Sequence, residues 1–238
     1  MSGHSKWSTI KRKKGAADAK RGVVFTRMSK DITMAARDGG GDPDMNPSLR
    51  LAIKKAKISN MPAANIDRAI KKGTGDLPGM IFEDFIYEGY GPNGIAILIE
   101  VLTDNKNRTF PEIKSIMSKN GGNIGESGCV NWMFEKKGII TIANELLGEE
   151  KVLEILDMGV EDINEEEESY EIITSPENFG DVSKKIEEQN IDFDGQISLI
   201  PNNIVEVSED SAIKIVKLLE LIEEQEDVQK VHSNFQIV

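Results

Sequence analysis

The sequence predicts an α+β protein in which a basic N-terminal domain of three helices precedes two ferredoxin-like α/β domains, the last inserted into the middle one. Three observations support this fold class. As far as residue 75, apolar residues recur at spacings of three and four, the period of an amphipathic helix. After Gly75, runs of β-branched and aromatic residues alternate with helical segments, as in α/β domains. Residues 138–200 follow the β-α-β-β-α-β order of the split βαβ motif.

The first 79 residues divide into an arm and a helical domain. Residues 1–22 have no apolar period and contain three glycines, so we expect a mobile basic arm. Within residues 23–79, Asn46 is the expected N-cap of the second helix, because Pro47 follows it at a position that favours proline. Gly73 is the expected end of the third helix. The three predicted helices run over residues 23–37, from residue 47 to before 62, and from about 62 to 73.

A discontinuous middle domain is predicted from residues 80–134 and 203–238. The first segment begins with a β-hairpin whose loop is Gly89–Gly94, and Thr109 and Glu112 then form a T-x-x-E capping box that predicts a helix start. The second segment is too short to fold alone, and the first lacks a second helix and a closing strand, so the two are expected to fold together. The expected strands cover 82–87, 95–103, 130–134, 204–207 and 228–235, and the second helix covers 210–224.

Residues 135–202 are the predicted insertion, an acidic ferredoxin-like domain. Ser175 is expected to cap its second helix, with Pro176 at the first helical position. Residues 161–168 contain six acids in eight positions, which is typical of a solvated hairpin tip and, alternatively, of a protein-docking patch. The expected strands cover 138–142, 160–164, 170–174 and 192–200, and the helices cover 145–157 and 176–189.

Charge is divided unevenly along the chain, although the whole carries a net charge of -12. Residues 1–75 have 17 Lys and Arg against 6 Asp and Glu, a net +11, whereas residues 76–238 have 12 against 35, a net -23. A basic module attached to an acidic body is the pattern of a nucleic-acid-binding protein. We therefore expect DNA or RNA as the main partner.

The composition excludes several classes of protein. No apolar run approaches the roughly 18 residues of a membrane-spanning helix, since the longest, from Ile95 to Leu102, is interrupted by Glu100. The first 30 residues lack the hydrophobic region of a secretion signal. The single cysteine, Cys129, cannot form an internal disulfide or a multi-cysteine metal site. We expect a cytoplasmic protein with no membrane contact, no cofactor and no metal.

Basic side chains supply the candidate nucleic-acid contacts. Lysine and arginine neutralise phosphates, and tryptophan stacks on unpaired bases. Like charges at helical spacing repel each other by about 0.2–0.5 kcal/mol per pair, a cost that an anionic partner relieves. The alternatives are a solubilising tail and solvated helix faces. The candidates in the arm are Lys6, Trp7, Lys11, Arg12, Lys13, Lys14, Lys20 and Arg21. Those on the second and third helices are Arg50, Lys54, Lys57, Arg68, Lys71 and Lys72.

A second candidate region lies at the predicted hairpin and the loop after it. The polar loop from Thr103 to Thr109 precedes a helix N-terminus, where an anion is favoured. Capping and turn formation explain its other residues but do not require two cations. The candidate phosphate or partner contacts in this region are Lys106 and Arg108. Tyr87 and Tyr90 of the hairpin are candidates to stack on bases or, alternatively, are packing residues.

Enzymatic function has weak support in the sequence. The glycines at 89, 91 and 94 match G-x-G-x-x-G, but Pro92 lies inside the motif and a β-like run follows it, whereas a dinucleotide site requires a helix there. His4 and His232 are remote from Cys129 in sequence, so no nucleophile and base can be paired. We expect Cys129 to be a small core residue and the protein to be non-catalytic.

Six short strings of the sequence carry a resemblance to one family: Gly3–Trp7, Asn60–Pro62, Asn65–Ile66, Arg68–Gly73, Tyr87–Pro92 and Thr103–Thr109. Together they resemble the YebC/PmpR family, which includes the mitochondrial translational activator of cytochrome c oxidase. The resemblance is dense over residues 1–135, and it departs at Lys106, where the family pattern has arginine, and over residues 145–170. It implies a three-domain, non-enzymatic regulator of gene expression.

Two modes of regulation follow from this resemblance. Some members are described as transcriptional regulators that bind promoter DNA, and others act on the ribosome, where they relieve stalling at proline-rich stretches. The helices carry no cluster of base-reading residues, which favours RNA or shape recognition. The rivals are an enzyme with a phosphate site at the Gly89–Gly94 hairpin and the Asp104–Arg108 loop, and a module that binds proteins through its acidic domains.

Overall fold

The computed structural model describes residues 21–78 and 81–238, and its helices and strands confirm the α+β class. The helices are α1 (Arg21–Gly39), α2 (Pro47–Ile58), α3 (Ala63–Thr74), α4 (Lys106–Lys119), α5 (Glu149–Leu156), α6 (Phe179–Glu188) and α7 (Glu209–Glu223). The strands are β1 (Glu83–Tyr90), β2 (Ala96–Thr103), β3 (Asn123–Ile124), β4 (Phe134–Ala143), β5 (Asp162–Glu165), β6 (Ser169–Thr174), β7 (Asp194–Pro201), β8 (Val205–Val207), β9 (Val228–Ser233) and β10 (Phe235–Ile237).

The described residues form two compact units, each built from two segments of the chain. The first holds residues 21–76 and 136–199, and the second holds residues 77–135 and 200–238 apart from 79 and 80. In the described part of the chain, no helix combines the length and apolar character that spanning a membrane requires.

Asn46 joins the first two helices of the first unit. Its side-chain oxygen accepts a hydrogen bond from the Leu49 N–H at 3.1 Å, and its amide group donates to the carbonyls of Ala35 and Gly40 at 2.8 Å each. The predicted N-cap, with Pro47 as the first helical residue, is therefore confirmed. Helices α1–α3 enclose an apolar core of Met28, Ile32, Ala36, Leu49, Ala56, Met61, Ile66 and Ala69.

The end of α3 differs from the prediction. The helix continues through Gly73 to Thr74, and Gly75 ends it with a left-handed φ of 79° and an N–H bonded to the Lys71 carbonyl. A Cβ atom at Gly73 would lie 2.3 Å from the Thr33 carbonyl oxygen of α1. The prediction that Gly73 ends the helix is wrong, because this glycine permits close packing of two helices and not a turn.

The inserted segment has the predicted β-α-β-β-α-β order, with β5, β6, β4 and β7 hydrogen-bonded in that sequence across the sheet. Its core includes Ile140, Ile172 and Phe179 and also receives Leu51 from α2. Helix α5 is shorter than predicted, since a 3₁₀ turn replaces its first residues. The Ser175 hydroxyl accepts the Asn178 N–H at 3.2 Å, as a cap would, but residues 176–178 form a turn and α6 begins only at Phe179, with Asn178 at its N-cap position. Pro176 consequently lies before the helix.

The second unit contains the predicted hairpin. Strands β1 and β2 pair antiparallel from Glu83 opposite Thr103 to Tyr90 opposite Ala96, and the sheet order is β3-β1-β2-β9. Side chains of α4 and α7 share an apolar core with this sheet. Both sheet domains therefore combine a four-stranded sheet with two helices, but their strand connections differ. The middle domain thus resembles a ferredoxin-like fold in having one layer of strands and one of helices, and not in the order of its strands.

Two of the predicted strands differ from the strands in the structure. The strand expected at 130–134 is wrong, because Asn131–Met133 forms a 3₁₀ turn and the strand begins at Phe134. The last strand divides into β9 and β10 at Asn234, whose side-chain oxygen accepts the Ala96 N–H at 2.7 Å. The Asn234 carbonyl accepts the Val205 N–H at 2.7 Å, which places β8 beside β10.

Helix α4 begins three residues before the predicted cap. Asn105 is its N-cap and accepts the Arg108 N–H at 3.2 Å. The predicted capping box is wrong because Thr109 lies one turn inside the helix, where it is buried and its hydroxyl donates to Asp227 at 2.6 Å. Asp227 is 118 residues away in sequence, so no local pattern could identify it.

Candidate nucleic-acid interface

Most of the predicted arm contacts lie outside the described residues. Arg21 is the first residue of α1. The arm candidates that precede the described region are Lys6, Trp7, Lys11, Arg12, Lys13, Lys14 and Lys20.

The predicted cations of α2 have different surroundings. The Arg50 guanidinium donates to the Pro43 carbonyl at 3.4 Å. Lys54 pairs with Asp192, which belongs to the same unit, at 3.3 Å. The neighbouring Lys55 pairs with Asp194 of β7 in the same way. Acidic side chains of the first unit thus meet part of the cationic face that the sequence assigned to an external anion.

Lys57 of α2 and Arg68 and Lys71 of α3 are exposed. Within residues 21–78 and 81–238, no carboxylate forms an ion pair with any of these three cations. Arg68 and Lys71 are three residues apart and lie opposite the buried Ile66 and Ala69, so they share the outer face of the helix. Lys72, the remaining candidate, is half-buried.

The amino end of α3 adds to the positive potential of this face. Pro62 precedes the helix and no side chain caps its first N–H groups, which carry the positive end of the helix dipole. Ala63, Ala64 and Asn65 are exposed there. Their small side chains permit an approaching phosphate to reach the backbone.

The tyrosines of the second candidate region are packing residues. Tyr87 is buried, with its ring 5.3 Å from the Phe110 ring and parallel to that of Phe85. Burial raises the pKa of the Tyr87 hydroxyl. Tyr90 is half-buried and donates its hydroxyl to the Cys129 carbonyl at 3.1 Å. These contacts favour the packing interpretation over base stacking.

The cations of the second candidate region are engaged within the second unit. One Arg108 nitrogen lies 2.7 Å from Asp227 and 3.0 Å from Asp104, and the hydrogen bond with Asp227 is the main reason that the pKa of Arg108 is raised. The Lys106 ammonium lies 4.5 Å from the centre of the Phe85 ring, a cation–π contact. Two carboxylates beside Arg108 oppose the binding of a phosphate there.

Asp227 is a structural residue that sequence reasoning missed. Its Oδ2 accepts hydrogen bonds from Thr103 at 2.9 Å, Thr109 at 2.6 Å and Arg108 at 2.7 Å. Burial acts to raise the pKa of Asp227, but the hydrogen bonds from Arg108, Thr109 and Thr103 outweigh it, and the pKa is lowered. The polar loop before α4 is therefore fixed by a charge from the far end of the chain.

Glu88 is a second missed residue. Its buried carboxylate accepts the backbone N–H groups of Gly128, Val130 and Asn131 at 2.7, 2.8 and 2.7 Å. Burial acts to raise the pKa of Glu88, and the three backbone hydrogen bonds outweigh it and lower the pKa. Glu88 lies within one of the strings that resemble the family, but nothing in the sequence indicates that its carboxylate accepts these three hydrogen bonds.

The geometry gives little support to catalysis. The glycine-rich hairpin contains a 3₁₀ turn at Pro92–Gly94 and leads directly into β2, so no helix N-terminus faces a bound pyrophosphate. Burial, with Glu88 nearby, raises the pKa of the Cys129 thiol, which opposes thiolate chemistry. In the part of the chain that the structure describes, no three His, Cys, Asp or Glu residues are grouped to hold a metal ion.

Comparison with known proteins identifies relatives over the whole length. A family model described as the TACO1/YebC second and third domain matches residues 82–235, and one described as the TACO1/YebC protein N-terminal domain matches residues 5–76. A "probable transcriptional regulatory protein" of Desulfotalea psychrophila is 52% identical over 240 residues, 100% of this chain and 96% of the relative. One of Geobacter sulfurreducens is 51% identical over 238 residues, with the same two coverages. The crystal structure of a conserved hypothetical protein from Aquifex aeolicus has 44% identity and a TM-score of 0.79, and the match covers 93% of this chain and 92% of that chain.

Proposed function

The chain belongs to the YebC/PmpR family, and from this membership and its cationic helical surface we propose that it is a non-catalytic, nucleic-acid-binding regulator of gene expression. The relatives at about 50% identity are named as probable transcriptional regulatory proteins. DNA is one target within the proposal, and ribosomal RNA is the other. On the ribosome the protein would act as a translation factor that relieves stalling at proline-rich stretches, as the family resemblance implies.

One observation carries the proposal. Lys57, Arg68 and Lys71 are exposed cations with no carboxylate partner in the described part of the chain, although acids outnumber bases by 12 in the full sequence. An acidic protein has ample carboxylates to pair with these side chains. Their isolation on one helical domain supports an external anion, and the sequence supplies seven more lysines and arginines at residues 6–21.

The type of contact follows from the residues on the α3 face. Arginine and lysine bind phosphates and position a protein on a nucleic acid, whereas base edges are read by side chains such as asparagine, glutamine and arginine in a cluster. Between Ala63 and Lys71 the exposed residues are mostly small or charged. This supports recognition of backbone and shape, with RNA favoured slightly over a specific duplex sequence.

The acidic domains have a separate part in the proposal. Residues 136–199 carry 5 Lys and Arg against 18 Asp and Glu, so they are repelled by phosphates. We propose that they face proteins or solvent and orient the basic domain. A regulator of transcription or translation works where transcripts are made and read, so we place the protein in the cytoplasm.

The experiment is a salt titration of binding to random duplex DNA and to purified ribosomes, between 50 and 200 mM salt. If six to ten phosphates are contacted, DNA affinity falls by roughly 10³–10⁵ over this range. The triple variant Lys57→Gln, Arg68→Gln, Lys71→Gln is expected to reduce the slope of log affinity against log salt by about 2.7 on duplex DNA. Ribosome binding that persists at 200 mM salt, while DNA binding is lost, would assign the translational role.

The matched control removes three exposed lysines of the inserted domain, Lys151→Gln, Lys184→Gln and Lys185→Gln. It changes the net charge by the same amount and should leave the slope unchanged. An equal reduction of the slope in both variants would mean that only overall charge matters. An unchanged slope in both would place the nucleic-acid contact elsewhere. Tight, saturable binding of a single nucleotide would instead support the alternative that the protein is an enzyme with a phosphate site.

A further inference from the structure

The loop between β3 and β4 presents an exposed tryptophan. Trp132 is 67% exposed, and it is one of two tryptophans in the sequence. Single exposed apolar residues are common on protein surfaces and need no explanation by themselves. The loop around Trp132 differs from an ordinary surface loop in how firmly it is held.

Hydrogen bonds to Glu88 fix the backbone of this loop. Its carboxylate is buried and accepts the N–H groups of Gly128, Val130 and Asn131. Burying a charge is costly unless hydrogen bonds replace its water, and three bonds to an ionised acceptor do so here. The loop is fixed by a buried carboxylate, yet Trp132 stays 67% exposed.

The polar edge of the indole is satisfied within the loop. Its Nε1–H donates to the Cys129 carbonyl at 3.2 Å, and the Tyr90 hydroxyl donates to the same oxygen at 3.1 Å. With its N–H engaged, the side chain offers the faces of its ring to a partner. Recognition at Trp132 therefore depends on stacking or cation–π contact and not on a hydrogen bond from the indole.

The charges around the loop select between these contacts. Carboxylates of Glu88 and Glu126 both act on the Cys129 thiol, so negative charge lies beside the residue that anchors the indole. The second unit as a whole, counted over residues 77–135 and 200–238, has 16 Asp and Glu against 7 Lys and Arg. A phosphate-bearing base is repelled there and a cation is attracted. Tryptophan is the best aromatic partner for a cation.

We propose that Trp132 is a docking point for an arginine side chain on a basic segment of a partner protein. The guanidinium lies over the indole face, where nearby carboxylates strengthen the attraction. Trp132 belongs to the second unit and the cations of α2 and α3 belong to the first, so the test uses different residues from the nucleic-acid proposal.

The test uses the full chain with Trp7→Phe, so that Trp132 is the remaining source of tryptophan fluorescence. The probe is a synthetic peptide of alternating glycine and arginine, compared with the same peptide carrying glutamate and with a short oligothymidylate. The arginine peptide is expected to change the emission in a saturable way and to shield the indole from acrylamide. The other two probes are expected to have no effect.

A charge-neutral substitution separates a specific contact from attraction to an acidic surface. Measured by calorimetry, Trp132→Leu is expected to weaken arginine-peptide binding about two- to fivefold, the range of an exposed cation–π contact. Trp132→Phe should weaken it less. The matched control is Ile213→Ala, since Ile213 belongs to the same unit and is 68% exposed, and its affinity should equal that of the parent.

Three results would overturn the proposal. The first is equal affinity of the Trp132→Leu and Ile213→Ala variants for the arginine peptide. The second is saturable quenching by the oligothymidylate in place of the peptide, which would make Trp132 a base-stacking residue. The third is an indole already shielded from acrylamide without peptide and released by salt, which would mean that the chain fills this surface itself.

Discussion

Replacing Glu88 with glutamine tests whether one carboxylate shapes the loop of residues 125–133. In the native protein Oε1 accepts the Gly128 N–H, and Oε2 accepts the N–H groups of Val130 and Asn131. A glutamine has one oxygen and one NH₂ group at these positions. In its better orientation the NH₂ group faces the Gly128 N–H, so that donor loses its partner while the other two keep a neutral acceptor.

The magnitude follows from these three bonds. A buried donor without a partner costs about 1–3 kcal/mol, and a hydrogen bond to a charged group contributes about 1 kcal/mol more than a neutral one. The sum is about 3–5 kcal/mol, and two effects offset part of it: relief of the desolvated charge and access of water to the Gly128 N–H, since Gly128 is exposed. We therefore expect Glu88→Gln to destabilise the protein by about 3 kcal/mol, which at this chain length is a fall in Tm of about 6–12 °C.

Thermal unfolding and amide hydrogen exchange measure this effect. The three amides bonded to Glu88 should exchange faster in Glu88→Gln than in the parent, while amides of the α1–α3 bundle should not change. Glu126→Gln is the matched control, because Glu126 is exposed on the same loop and its substitution makes the same chemical change. A Tm within 1 °C of the parent, with the three amides still protected, would refute the reasoning.

Three further predictions follow from the carboxylates. The pKa values of Glu88 and Asp227 are lowered on folding. Their contribution to stability is therefore present above the unfolded pKa of about 4 and is lost as the pH falls through the folded values. In urea unfolding below about pH 4, the stability of Glu88→Gln should depend less on pH than that of the parent. Asp227→Asn should cost about 2 kcal/mol, because two buried hydroxyls and a guanidinium lose a charged acceptor, whereas Asp104→Asn at the exposed partner of the same arginine should cost under about 1 kcal/mol; equal costs in urea titrations would contradict this. Asp192→Asn with Asp194→Asn should free the two paired lysines of α2, change stability by under about 1 kcal/mol, and steepen the salt dependence of DNA binding by up to about 1.8; an unchanged slope would show that these lysines face away from the nucleic acid.

Local signals in the sequence identified much of the fold. Asn46 followed by Pro47 predicted a helix start that the structure confirms through a side-chain bond to Leu49. The hairpin of β1 and β2 followed from two β-rich runs around a glycine loop, and it pairs over the full length of both strands. In these cases the residues that determine the structure are close together in the chain.

The errors arose where a distant residue decides the outcome. Thr109 has the sequence context of a cap, but Asp227 draws its hydroxyl into the core. Gly73 resembles a helix stop, but the Thr33 carbonyl in α1 requires a glycine opposite it. Propensity and capping patterns contain no information about such partners.

The candidate interface shows the same division. The sequence identified the cationic faces of α2 and α3, which depend on helical spacing alone. It could not identify that Lys54 faces Asp192, 138 residues later, or that Arg108 is held by a carboxylate 119 residues away. The distinction between a paired and an unpaired cation is a tertiary property, and it reduced the candidates on α2 and α3 to a smaller set.

The strands of the β3-β1-β2-β9 sheet come from two distant segments of the chain, so they are synthesised at different times. Strand β2 leaves the ribosome with β1 on one edge, but its other edge pairs with β9, which begins 125 residues after Thr103. At 5–20 residues per second, that edge stays open for about 6–25 s. The open strand, Ala96–Thr103, is almost entirely apolar and β-branched or leucine-rich, a composition prone to intermolecular pairing. Nascent chains of this protein therefore pass through a period in which the outer edge of β2 has no partner strand, and a premature stop before residue 228 would leave that edge permanently exposed.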